Sequence, residues 1–254
     1  MLHRVIHGQA NNPPLLIVHG LFGSGRNWSV IAKRLSDMRQ VFAVDLRNHG
    51  QSPWSDHHRY IDMAEDLAEV ITAHGAPMDV LGHSMGGKAA MTLALTRPEL
   101  VRRLIVADIA PVAYGHDQTQ HIKTMRALDL TQIKKRADAT AQLARDIDDP
   151  ILQSFFTQSL DIANGRWRLN LDALERHMPE ILEFPEFNTT FSNLTLFLSG
   201  ANSNYVAQTH RPIIKRLFHN SKFAKIPNTG HWLHAEAPRQ FEASVRAFLT
   251  MTFA

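Results

Sequence analysis

The sequence predicts an α/β fold: a mostly parallel β-sheet with helices on both faces, interrupted once by a helical insertion. Three observations carry this. Short apolar runs recur without polar alternation, as strands buried on both faces require. Longer segments of helical period separate them, which is the order of a layered α/β domain. From about residue 112 to 190 the alternation stops, then resumes.

Taken in order, Leu15-Leu16-Ile17-Val18 reads as a buried strand, followed by a helix through Trp28 to Leu35. Val41-Phe42-Ala43-Val44 is the next strand. Tyr60 to Ala73 has helical period, with Ile61, Ala64, Leu67, Ala68 and Ile71 on one face. Met78-Asp79-Val80-Leu81 is a strand, Lys88 to Leu95 a helix, and Leu104-Ile105-Val106-Ala107 a strand. After the interruption come a strand at 194–198, a helical run at 213–217, a strand at 223–226, and a last helix through Phe241, Val245 and Phe248. Residues 112–190 read as several helices with breaks at Pro150, Asn164-Gly165, Pro179 and Pro185. That is too long for a plain loop. Residues 1–111 and 191–254 are therefore expected to form the core domain and 112–190 a helical cap over the carboxyl ends of the strands, where open α/β sheets place their ligands.

A chain of 254 residues with 44% apolar content suits one core of this size, burying about three quarters of its unfolded surface. The absence of cysteine excludes disulfides, a thiolate metal site and a cysteine nucleophile. No apolar run approaches the roughly 20 residues that span a bilayer. The first residues lack the apolar stretch of a signal peptide, so a cytoplasmic location without membrane insertion is expected. The net charge of +3 is scattered, and Lys134-Lys135-Arg136 reads as a solvated helix face, so nucleic acid is not an expected partner.

Gly82-His83-Ser84-Met85-Gly86-Gly87 joins a strand to a helix and matches G-x-S-x-G in its required setting. Small residues let the chain turn so sharply that the Ser84 hydroxyl stands at the strand end, and the helix start aims N–H groups at the same place. A serine needs a base. His231, in Asn228-Thr229-Gly230-His231-Trp232 just past the last strand, is the candidate; His234 falls in a helical run and is expected to pack there. His57, His58 and His121 lack a strand-end setting and read as surface or cap residues.

A carboxylate must hold the imidazole. The loop after the 194–198 strand, Ser199-Gly200-Ala201-Asn202-Ser203-Asn204-Tyr205, contains none, and Ser203 stands where an acid is expected. Asp108, after the Leu104–Ala107 strand, is the candidate, with a helix N-cap as its other reading. Asp45 reads as structural, a partner for Arg47. The backbone N–H of Met85 and of Leu21, in His19-Gly20-Leu21-Phe22-Gly23, are the candidate oxyanion donors. Phe22, His83 and Trp232 flank these groups and, with Phe155 and Trp167 of the cap, are candidate substrate contacts. Phe155, Phe156, Leu160, Trp167 and Leu171 fit an acyl pocket and the cap's own core equally well.

Together with Asp45-Leu46-Arg47-Asn48-His49-Gly50-Gln51-Ser52, Asp108-Ile109-Ala110-Pro111-Val112 and Gly230-His231-Trp232-Leu233-His234, these motifs resemble an α/β-hydrolase of the bacterial YbfF esterase type over nearly the whole chain. The resemblance implies an eight-stranded, mostly parallel sheet and serine carboxylesterase activity on small to medium acyl esters. It implies no metal and no organic cofactor. An acyl-CoA thioesterase using the same triad is the alternative, with Lys88 and basic cap residues available to coenzyme A phosphates. A carbon–carbon bond hydrolase, a perhydrolase and a catalytically silent ligand-binding protein are further alternatives. The expected partner is a small acyl ester or thioester, and the expected state is a monomer or homodimer. Activity is expected to fall on acidification as the base takes up a proton.

Overall fold

The computed structural model describes residues 1–9 and 12–251. Seven strands form one sheet: β1 (Arg4–His7), β2 (Leu15–Val18), β3 (Val41–Val44), β4 (Met78–His83), β5 (Val101–Ala107), then β8 (Thr195–Gly200) and β9 (Ser221–Ile226). Their spatial order is β1-β3-β2-β4-β5-β8-β9, and only β1 runs antiparallel to its neighbour. Among the described residues the sheet thus has seven strands, not eight. A single strand precedes β2 among the described residues, and the connection to it carries Pro13-Pro14, which lack the N–H donors a ladder needs.

The non-alternating strands split their residues between two buried faces. Leu15 and Ile17 of β2 pack with Trp28, with Ile31 and Leu35 of α1 (Ser29–Leu35), and with Phe241, Val245 and Phe248 of the helix Pro238–Thr250. Leu16 and Val18 pack on the other face with α2 (Tyr60–His74) and α3 (Met85–Thr96). Each such side chain contributes about 1.5–3 kcal/mol on burial. In α2 the buried stripe is Tyr60, Met63, Ala64, Leu67, Ala68, Val70 and Ile71. Ile61 lies off that stripe and is 41% exposed, contrary to the sequence reading. Helix α3 is buried along almost its whole length, packed against β4, β5 and α2, with the Lys88 ammonium on the carbonyls of Leu182 and Glu183.

Between β5 and β8 lie α4 (Thr119–Arg126), α5 (Arg136–Leu143), α6 (Pro150–Gln158), the hairpin β6 (Leu160–Asp161) and β7 (Arg166–Trp167), then α7 (Leu171–Arg176) and α8 (Met178–Leu182). Pro150 and Pro179 open helices rather than ending them, where a missing N–H is harmless. Asn164-Gly165 makes the turn of a hairpin the helical reading did not foresee, with Gly165 at φ 55. Two main-chain hydrogen bonds, Gly50 N–H to Arg168 O at 2.8 Å and Asn170 N–H to Asn48 O at 2.9 Å, fasten this segment to the loop after β3.

Candidate active site

The turn at Ser84 is enforced by close backbone approach. A Cβ on Gly82 would lie 2.3 Å from the carbonyl oxygen of Gly86, and one on Gly86 would lie 2.2 Å from that of His19. Ser84 itself sits at φ 52, ψ −122, a strained setting that costs of order 1–3 kcal/mol. Its N–H donates to Ala107 O at 3.0 Å, tying the end of β4 to that of β5.

Three elements then converge. His231, in the loop after β9, places Nε2 3.1 Å from Ser84 Oγ and Nδ1 2.8 Å from Asp108 Oδ2. Since a carboxylate accepts, Nδ1 carries the proton and Nε2 is left free to accept from the serine. Asp108 is fully buried and at φ 51. It caps no helix: α4 begins only at Thr119. Its Oδ1 accepts the N–H of Gly200 at 3.1 Å, and Oδ2 also accepts the Ser203 hydroxyl at 2.5 Å. The serine found in place of an acid therefore touches the acid that lies elsewhere.

The Gly20–Gly23 turn is closed by a 3.0 Å hydrogen bond from Gly23 N–H to Gly20 O, with Phe22 at φ 62. The N–H of Leu21 meets no acceptor among the described residues. That of Met85 is the first of α3 and precedes the intrahelical ladder. Two buried histidines brace this turn. His19 accepts the N–H of Leu46 at 2.9 Å and donates to Gly20 O; His49 accepts the N–H of Phe22 at 3.2 Å and donates to Arg47 O. Burial pulls their pKa values down to about 4 and about 3, which keeps one nitrogen of each free to accept.

His83 donates from Nε2 to the carbonyl of His231 at 2.9 Å, and burial holds its pKa well below the usual histidine value. His234 packs as expected, stacked on Trp28 at 4.2 Å between ring centroids. His58, read as a surface or cap residue, is instead fully buried beside Asn48 and His49. Asp45 accepts the N–H groups of Gly25 and Gln51, so it is structural; its expected partner Arg47 turns away and pairs with Asp66 at 2.6 Å.

Beside Ser84 opens a small cavity with Leu21, Phe22, Met85, Phe155, Phe156 and Trp232 in its walls. Phe155 and Trp232 meet at 4.4 Å, and Phe22 meets Phe156 edge-on at 5.5 Å. Trp167 does not line this cavity, contrary to expectation. It is buried in the inserted segment, where its indole N–H donates to Met125 O at 2.9 Å. Leu160 and Leu171 likewise belong to the packed core.

The sequence reading missed the aromatic wall behind the imidazole. Tyr205 stacks on His231 at 4.1 Å and 24°, and its own hydroxyl meets His116 Nε2 at 2.5 Å. Tyr114 donates its hydroxyl to Tyr205 O at 2.6 Å. The one available signal was the position of Tyr205, two residues past Ser203.

Comparison with known proteins agrees with this architecture. Residues 13–238 match a family described as the alpha/beta hydrolase fold. The chain is 39% identical to sn-1-specific diacylglycerol lipase ABHD11 of Mus musculus, over 97% of this chain and 84% of that protein. It is 33% identical to esterase YbfF of Escherichia coli K12, over 95% and 94%. The solved structure of a marine microorganism esterase superposes with a TM-score of 0.91 at 37% identity, covering 97% and 98% of the two chains. The chain belongs to the α/β hydrolase fold family.

Proposed function

We propose that this protein is a serine carboxylesterase that hydrolyses small to medium acyl esters through an acyl-enzyme. The observation that carries the reading is the unbroken line from Ser84 Oγ through His231 to Asp108, at 3.1 and 2.8 Å, opening on an apolar cavity. The names of its relatives, esterase and lipase, support it.

In this mechanism Ser84 Oγ attacks the ester carbonyl while its proton passes to His231 Nε2. Asp108 holds the imidazole by Nδ1–H and stabilises the cation that forms. The N–H groups of Leu21 and Met85 receive the oxyanion, each worth about 2.7–4 kcal/mol in sites of this kind. The alkoxide leaves with the proton from Nε2. A water then gives its proton to the same nitrogen, attacks the acyl-enzyme, and frees the acid and Ser84. Ser203 fixes the second position of Asp108 Oδ2 and does not exchange protons with substrate. Residues 112–190 act as a cap that shapes the acyl site and limits water, with Phe22, Phe155 and Trp232 as substrate contacts and His83 positioning the His231 loop.

For the thioester alternative, Lys88 is buried with two N–H groups on main-chain carbonyls of the inserted segment, which leaves the basic residues of 112–190 as the groups available to coenzyme A phosphates.

The test is labelling with a fluorophosphonate, read by mass spectrometry, beside turnover of para-nitrophenyl esters from acetate to decanoate. An adduct on Ser84, absent in Ser84→Ala, with rates greatest on the short and medium chains is expected. No adduct and no turnover above buffer contradicts the reading.

A further inference from the structure

Lys88, which follows the Gly82–Gly87 elbow, is left unused by the catalytic account. It lies one helical turn past Ser84, so the two share a face of α3. Its side chain is 1% exposed and forms part of the wall of the Ser84 cavity.

The ammonium has three N–H donors. Two go to the carbonyls of Leu182 and Glu183, at 2.8 and 2.6 Å, where α8 ends. Its other close neighbours are the rings of Tyr114 and Tyr60, at 4.9 and 5.7 Å to the centroids, which favour a cation over their faces. The hydroxyl protons of both tyrosines are spent on other acceptors, Ile181 O and Tyr205 O, and the Tyr114 oxygen already accepts the N–H of Ala110. Among the described residues no carboxylate stands within ion-pair distance of Lys88, and no Asp or Glu lines the cavity. Burying a cation without a counter-ion costs several kcal/mol. Two carbonyls at the end of α8 take only two of the three N–H donors, so capping α8 leaves the third without an acceptor among the described residues.

We infer that Lys88 is an anion-recognition point inside the acyl site, and that the preferred acyl groups carry a carboxylate at their far end. The inference rests on the esterase reading of Ser84. An acyl carbonyl held at Ser84, with its chain running along α3, brings a terminal carboxylate to the third N–H of Lys88. Phe155, Phe156 and Trp232 line the same cavity and offer apolar wall to the methylenes. The substrate class is thus the half-ester of a short dicarboxylic acid. Burial pulls the Lys88 pKa down to about 7 against an upward pull from Glu183, with Tyr60, Tyr114 and His116 also in the same cavity wall; a bound carboxylate would keep the amine charged.

The experiment compares kcat/KM for mono-para-nitrophenyl glutarate and adipate with para-nitrophenyl pentanoate and hexanoate, in the wild type and in Lys88→Met. The expected result is a half-ester to apolar-ester ratio about tenfold or more higher in the wild type than in Lys88→Met. Should Lys88→Met not fold, the wild type alone decides. Glutarate should then inhibit turnover of the apolar ester at about tenfold lower concentration than pentanoate. Equal ratios in the two proteins, or equal inhibition by the two acids, overturns the inference while apolar turnover leaves the esterase reading standing. Absence of all ester turnover and of a fluorophosphonate adduct overturns both.

Discussion

Two aspartates, both fully buried, mark opposite ends of the central strands and do different work. Asp79, at the start of β4, gives one oxygen to two guanidiniums, Arg39 at 2.6 Å and Arg102 at 2.8 Å. Asp108, just past β5, faces no permanent cation; it meets an imidazole, a hydroxyl and an amide N–H. An arginine is charged at every accessible pH, so the charge of Asp79 is neutralised once and for all. In the proposed mechanism the imidazole beside Asp108 gains and loses a proton within each turnover. The end at which Asp79 lies is built to stay as it is, while the end at which Asp108 lies holds the positive-φ non-glycine residues Phe22, Asn48, Ser84, Asp108 and Asn228 among the described residues. Strain and a proton-carrying partner, rather than burial of a carboxylate, distinguish the functional end.

The largest predicted effect falls on the end at which Asp108 lies. His231→Gln should lower kcat/KM roughly 10⁶-fold on any ester the wild type accepts, the loss typical of a triad base. The melting temperature should stay within a few degrees, since the ring is partly exposed.

Acid should separate the two ends next. His19, His49 and His234 have pKa values pulled by burial to about 4, 3 and 3, and His58 and His83 lie well below the usual value. The unfolded chain takes up these protons near pH 6.5 while the folded chain refuses them. Stability is therefore full above that pH and falls as pH drops toward 4, by of order 1 kcal/mol per histidine per pH unit. Thermal unfolding followed from pH 7.5 to 5 should show a steep decline; a flat melting temperature contradicts it.

Asp79→Asn should cost about 3–5 kcal/mol of stability, because it strands two cations against a neutral amide. Urea unfolding measures that loss, and kcat/KM per folded molecule should stay near the wild type. The smallest effect is expected for Tyr205→Leu. Losing the ring stacked on His231 removes about 1 kcal/mol of support for the imidazolium, a decrease in kcat/KM of about fivefold.

The fold was readable because buried parallel strands leave unmixed apolar runs, and because a serine elbow needs glycines at positions nothing else can fill. Leu15–Val18 and Gly82–Gly86 are both of this kind. The members of the proposed triad came from strand ends alone. What escaped was set by tertiary contact. The hairpin at Leu160–Trp167 is too short to show a period of two. Trp167 looks like a pocket aromatic until its N–H is seen to find Met125. His19 and His49 brace the Leu21 turn through ring nitrogens across 27 residues of chain. Lys88 reads as available to coenzyme A phosphates, and its burial shows only once the end of α8 folds over it.

The central claim is that Asp108, not the loop after β8, supplies the acid. Its most direct test is kcat/KM of Asp108→Asn beside Ser203→Ala on one apolar ester, with melting temperatures alongside. The account predicts a loss of about 10⁴-fold for Asp108→Asn, as when a triad carboxylate becomes an amide and the imidazole loses its tautomer. It predicts a loss of about tenfold or less for Ser203→Ala, which removes one neutral hydrogen bond. An Asp108→Asn rate within tenfold of the folded wild type would contradict it.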